Sequence, residues 1–274
     1  MSTDSHSVMS DSRRAARTPR RIAAHAQLEA RAILTNGEQL MVSLMLPAMV
    51  LLGLRFVPVS PALFGGKSPS MTDAVAATAV TAIIATSLTS QAIATGFDRR
   101  NGVLRWIATT PLGRGGYMLG KLGAMAIVHI LQIVALGALS FALGWRPTAG
   151  EILLSIPVWI LATCAFGGLG LLIAGTLRTE AVLALSNIIF ILLIAVGGVA
   201  IPANGFPAPF DTLVSVLPSA AASSALTETL SGHAPSLAAL GLLALWAAVF
   251  GSLTVRFFRW TSACFTDPAP PFLH

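Results

Sequence analysis

The sequence predicts an all-α integral membrane protein with six transmembrane helices, on three observations. Of its 274 residues, 55% are hydrophobic and 10% charged, where soluble domains carry about 25% charged residues. The apolar residues fall into six runs, each long enough to cross a hydrocarbon core of about 30 Å. Lysine and arginine collect in every second connection, which is an orientation pattern. The net charge of +6 is spread along these borders, and this distribution argues against nucleic acid as a partner.

Residues 1–17 read as a disordered, basic cytoplasmic tail. Ser12-Arg13-Arg14 lies too far from the first apolar run to serve as an export signal, and no cleavable signal peptide is expected. Residues 18–39 read as an amphipathic helix at the membrane interface. Thr18 is its N-cap, with Pro19 at the first helical position, and the helix runs to Asn36. Ile22, Leu28, Ala32 and Ile33 share one face, while Arg20, Arg21 and Arg31 supply the basic character of an interfacial helix.

The six-span domain is expected over 40–257. Its spans are 40–57, 71–95, 122–143, 152–175, 181–201 and 236–257. Pro47 lies inside the first, where a kink is expected. The fifth and sixth are joined by an outer segment holding two short helices, 210–217 and 220–230. Pro218 separates them and Gly232 ends the second. Residues 258–274 form a short cytoplasmic tail. Fourteen of the 17 basic residues lie on the side of the N-terminal tail, the 96–121 connection, Arg178, Arg256 and Arg259; only Lys67 and Arg146 lie opposite. Arg55 sits near the outer end of the first span, within snorkelling reach of headgroups. Both termini are therefore expected in the cytoplasm.

Sites for chemistry are sparse. Cys164 and Cys264 form neither a metal-ligand spacing nor a disulfide framework. His129 is the main ionisable residue inside a span, and a satisfied structural polar group is its expected role. Gly115 to Lys121 fits G-x-x-x-x-G-K, but Leu122 stands where a phosphate-binding loop needs Ser or Thr. No ATP site is expected in this chain, and Lys121 is expected at the headgroup level. Gly116, Gly120 and Gly123 would let another helix approach closely.

The segment from Gly96 to Leu112 is the sequence's most distinctive part. It carries Asp98, Arg99, Arg100 and Arg105 between two apolar runs, so it must lie at a membrane face. Asp98-Arg99-Arg100-x-Gly102-x-Leu104, then Thr110-Pro111-Leu112, then Tyr117-x-x-Gly120-Lys121 resembles the ABC-2 type permease family, the membrane subunits of ATP-binding-cassette exporters. The resemblance covers roughly 28–259, including Leu217-Pro218 and Ala225-Leu226 in the outer segment. Asp98 stands where the family more often has Glu.

The resemblance implies a coupling helix in the 96–121 connection that docks on a separate ATPase subunit. Val103, Leu104, Trp106 and Ile107 would form its apolar wedge, with Asp98, Arg99, Arg100 and Arg105 offering ion pairs to the ATPase. The chain itself would hold no cofactor; ATP and Mg would be bound by the ATPase, present in two copies or equivalents. A second six-span permease, identical or paralogous, would complete the pathway in the plasma membrane. Spans two and five would line it, which nominates Thr86, Thr89, Gln91 and Asn187. The expected cargo is amphiphilic, a drug or lipid, with a polysaccharide or glycolipid as the alternative. An ion-coupled secondary transporter or a membrane scaffold are the readings from other classes.

Overall fold

The computed structural model describes residues 18–35, 37–58, 60–64, 66 and 68–259. The expected tail 1–17 and nearly all of the tail 258–274 lie outside them, as do Asn36 and Lys67. The described residues are helical, with no strand among them.

Helix α1 spans Thr18–Thr35 and α2 Gly37–Phe56. Pro47 lies inside α2 without ending it. A continuous rod follows: α3 (Met71–Ile83), a π-helical segment (Ile84–Ser90) and α4 (Gln91–Arg100). The short α5 is Val103–Ala108 and the long α6 Gly113–Ala142. Then come α7 (Ala149–Thr176), α8 (Thr179–Ala195), α9 (Phe210–Ser215), α10 (Pro218–Leu230) and α11 (Leu237–Phe257). Among the described residues four helices are long and apolar enough to cross a membrane: Met71–Arg100, Gly115–Ala142, Ala149–Thr176 and Leu237–Phe257. The other two expected spans correspond to the shorter apolar helices Ser43–Phe56 and Thr179–Ala195.

The rod from Met71 to Arg100 is the centre of the bundle. Within its most apolar window 78% of residues are buried, against 17% for α11. Composition explains the difference. The rod is built of Ala, Thr, Ser and Gly with few large side chains, so α2, α6, α7, α8 and α10 can all close on it. Two of its hydroxyls turn onto its own backbone: Thr78 Oγ1 donates to Ala74 O (2.7 Å) and Thr81 Oγ1 to Ala77 O (2.8 Å). Peripheral α8 instead displays Leu185, Ile188, Ile191 and Leu192, side chains that lipid solvates as well as protein does.

The rod and the α7 that packs on it both start at reciprocal caps. Ser70 and Asp73 form one capping box, Thr148 and Glu151 the other. These acids, which the sequence places at span ends, thus satisfy first-turn amides. Pro218 opens α10 and Gly232, at φ +80°, follows its end, as the outer segment's punctuation predicts.

Candidate functional site

The charged connection folds as a tight elbow. Helix α4 ends at Arg100, and Gly102 takes a left-handed conformation (φ +75°) that a side chain would resist. Helix α5 follows at once. Its C-terminal carbonyls are closed by hydroxyls: Thr109 Oγ1 donates to Trp106 O and Thr110 Oγ1 to Ile107 O, both at 2.7 Å. Pro111 and Leu112 then lead into Gly113 (φ +68°) and α6.

What packs behind α5 divides its four apolar side chains between two sides. Leu104 and Ile107, three residues apart, turn inward and pack with Tyr117 and Phe258, with Leu112 and Met118 alongside. Val103 and Trp106 turn outward, Trp106 being 69% exposed. The expected wedge is therefore corrected to two outward residues braced by two inward ones.

The expected outward ion pairs need a similar correction. The Arg99 guanidinium is buried and donates to the Leu177 carbonyl at the end of α7. Arg100 pairs with Glu180 at 3.0 Å on the exposed surface. Asp98 turns into the protein. Its Oδ2 accepts from Lys121 Nζ at 3.0 Å and from the Tyr117 hydroxyl at 3.3 Å. All three charges find acceptors or counter-charges within this chain, because the elbow folds back against α1, α6, α7 and α8.

Lys121 is the centre of this arrangement. Its side chain is 0% exposed, and its ammonium bridges Asp98 of α4 and Glu29 of α1, the latter at 2.7 Å. It also lies 5.3 Å from the Tyr117 ring centroid. The expectation of Lys121 at the headgroup level is thus corrected: its charge is met inside the protein. The P-loop lookalike proves to be helical, since Gly115 to Lys121 are part of α6.

Helix α1 lies along this part of α6 through the glycines. A Cβ on Gly120 would fall 2.3 Å from the His25 ring, and one on Gly123 3.0 Å from Ala26 Cβ. The buried face of α1 is Ala26, Ala30 and Ile33, with Ile22 half-buried. Leu28 and Ala32 are exposed, a correction to the expected apolar face. Arg20 and Arg31 are exposed, and Arg21 donates to Pro111 O at 2.9 Å, tying α1 to the elbow. His25 Nε2 lies 3.7 Å from Glu29 Oε1, and its ring centroid 5.3 Å from that of Tyr117. Burial pushes the His25 pKa below its ordinary value; Lys121 adds to the depression, while Glu29 and Asp98 oppose it.

Sequence reasoning missed Glu29 and His25 as members of this cluster. One signal was available: Glu29 is the only acid in α1, a helix that otherwise carries arginines.

The four nominated pathway residues are not brought together. Thr86 is buried and accepts from Gln132 Nε2 at 2.9 Å. The Gln91 side chain is fully buried, with neither amide atom partnered, and the Thr89 hydroxyl is likewise unpartnered among the described residues. All three sit in or just beyond the π-helical segment of the central rod. Asn187 alone lies on an exposed face, that of α8. His129 is satisfied as expected: its Nδ1 donates to Gln132 Oε1 (2.8 Å) and its Nε2 accepts from the Ser87 hydroxyl (3.0 Å). The Gln132 amide, which donates to Ser43 O and Thr86, leaves its oxygen as acceptor and so fixes that tautomer.

A family model described as "ABC-2 family transporter protein" matches residues 31–256. No curated protein matches the chain.

Proposed function

Since the chain belongs to the ABC-2 transporter family, and is thereby the membrane subunit of an ABC transporter that works with an ABC ATPase subunit, we propose that α5 is its coupling helix. The observation that carries this reading is the division of α5: Leu104 and Ile107 anchor it, leaving Val103 and Trp106 as an outward apolar pair beside Arg105. A short helix braced this way can receive a push without folding away. ATP and Mg belong to the ATPase subunit, whose closure would move α5 and, through it, the spans.

In this reading α2 and α8 complete six spans, both termini face the cytoplasm, and the complex sits in the plasma membrane with two ATPase copies and a second permease. The transport direction is outward. The cargo is amphiphilic, a drug or lipid, moving between the two permeases. Asn187 suits that path because an exposed amide within an apolar helix calls for polar company, while Thr86, Thr89 and Gln91 serve the rod's interior.

Co-purification with the ATPase subunit tests the docking. Trp106→Asp is expected to abolish association and permease-dependent ATP hydrolysis while the protein still reaches the membrane; retained association would refute the assignment of α5. Mass spectrometry of the purified complex then reads the cargo. A bound lipid or drug-like amphiphile supports the proposal, and a bound glycan chain would overturn that part of it.

A further inference from the structure

We infer that Glu29 is a positioning residue for coupling: through Lys121 it fastens α1 to α6 beside the elbow, so that α1, the end of α4 and the start of α6 travel as one lever when α5 is pushed. The inference rests on the assignment of α5 as the docking helix, and goes beyond it by naming what α5 moves.

Three fastenings converge within a few residues. The first is ionic: one ammonium, cut off from solvent, joins carboxylates on two different helices, Glu29 at 2.7 Å and Asp98 at 3.0 Å. Separating α1 from α6 would take from that buried ammonium the nearer of its two carboxylates, which is costlier than breaking a surface pair. The second is steric. Gly120 and Gly123 admit the His25 ring and Ala26 so closely that α1 sits in the groove of α6. The third is the bond from Arg21 to Pro111 O, which reaches the elbow itself. The Tyr117 hydroxyl holds Asp98 from the α6 side, and the Tyr117 ring contacts the back of α5 through Leu104 and Ile107. Each link passes from α5 toward α1 through side chains in contact.

Glu29 is the member whose removal separates α1 and spares the rest. Asp98 would still hold Lys121 to α4, and α5 would keep its anchor and its outward pair. Loss of Glu29 should therefore leave docking intact and weaken transmission, a division that a merely structural residue would not produce.

The test uses the full permease–ATPase complex in nanodiscs, with Cys164→Ala and Cys264→Ala as background. Glu29→Gln is expected to co-purify with the ATPase normally, yet lose permease-dependent ATP hydrolysis by roughly tenfold, as misplacement remote from the chemistry can. Ala26→Cys with Gly123→Cys then bolts α1 to α6 by a disulfide, their Cβ positions opening from 3.0 Å to the usual separation of about 3.8 Å. The bolt alone is expected to leave hydrolysis unchanged, and in the Glu29→Gln protein to restore it, with reductant reversing the rescue. Loss of activity on oxidation of the bolted but otherwise unaltered protein would overturn the inference, because α1 would then have to move against α6. Wild-type hydrolysis by Glu29→Gln would overturn it too, as would failure of the bolt to rescue. Failure of the docking assignment shows separately, as normal association by Trp106→Asp in the same assay.

Discussion

Replacing Lys121 by Met puts the buried clasp to a thermodynamic test. Methionine fits the volume of the aliphatic stem and removes the charge, leaving Glu29 and Asp98 without their shared counter-ion. Breaking a buried pair by deleting one partner costs about 3–5 kcal/mol. Here the orphaned carboxylates keep some access to water, with side chains 18% and 28% exposed. The lower end, about 3 kcal/mol, is therefore expected. For a protein of this size that corresponds to a fall in melting midpoint of roughly 6–10 °C. Size-exclusion melting of the detergent-purified chain measures it. The triple variant Lys121→Met/Glu29→Gln/Asp98→Asn should recover much of the loss, because it leaves no charge unpaired. Single and triple variants that melt together would sink the argument, as would a Lys121→Met midpoint within about 1 °C of wild type. Either result would mean that the three side chains are not energetically coupled.

Acidification should weaken the same region through His25. Its folded pKa is lowered, so the unfolded chain takes up the proton first. The stability tied to His25 is present above the ordinary value of about 6.5 and is lost as pH falls below it; His25→Gln, with Glu29, Asp98, Lys121 and Tyr117 unchanged around it, is expected to melt with a smaller drop between neutral and acidic buffer. At the rod, Gly170→Ala would place a Cβ 2.8 Å from Leu88 O and 2.9 Å from Ser87 O. Backbone atoms cannot rotate aside, so a cost of about 1–3 kcal/mol or more is expected, whereas Gly137→Ala, with nothing within 4 Å, should be neutral or slightly stabilising in the same melting assay.

The helices were legible because apolar run length and Pro–Gly punctuation act locally. The start of α6 was not. Hydropathy places the span's edge at Leu122 because Lys121 is charged, yet the helix begins at Gly113, since Lys121 is neutralised by the protein instead of by headgroups. The elbow's position was legible in its charges and glycine. Its facing was not: which of Val103, Leu104, Trp106 and Ile107 points outward depends on what stands behind α5, and Phe258 comes from the far end of the chain. The clasp was the least legible element. Glu29 lies 92 positions before Lys121, and it precedes residue 31, where the family match begins. Asp98 and Lys121 belong to a recognisable motif, but their third partner carries no motif. The pathway nominations treated the second span as a wall, whereas its small side chains make it the most enclosed of the four candidate spans among the described residues.

The π-helical segment Ile84–Ser90 acts as a phase setting for everything beyond it. A π turn holds an additional residue relative to the α turn it interrupts, and each α-helical residue advances the chain by about 100° about the axis. Were the same residues to close into a uniform α-helix with none deleted, α4 would swing around by that angle. Asp98 would leave Lys121, and Arg99 would leave the end of α7. The angular alignment of the elbow is thus decided two to three turns away, in the middle of the rod, where an insertion in the helix keeps the small-residue packing of α3 and the ionic contacts of α4 each on its own partner.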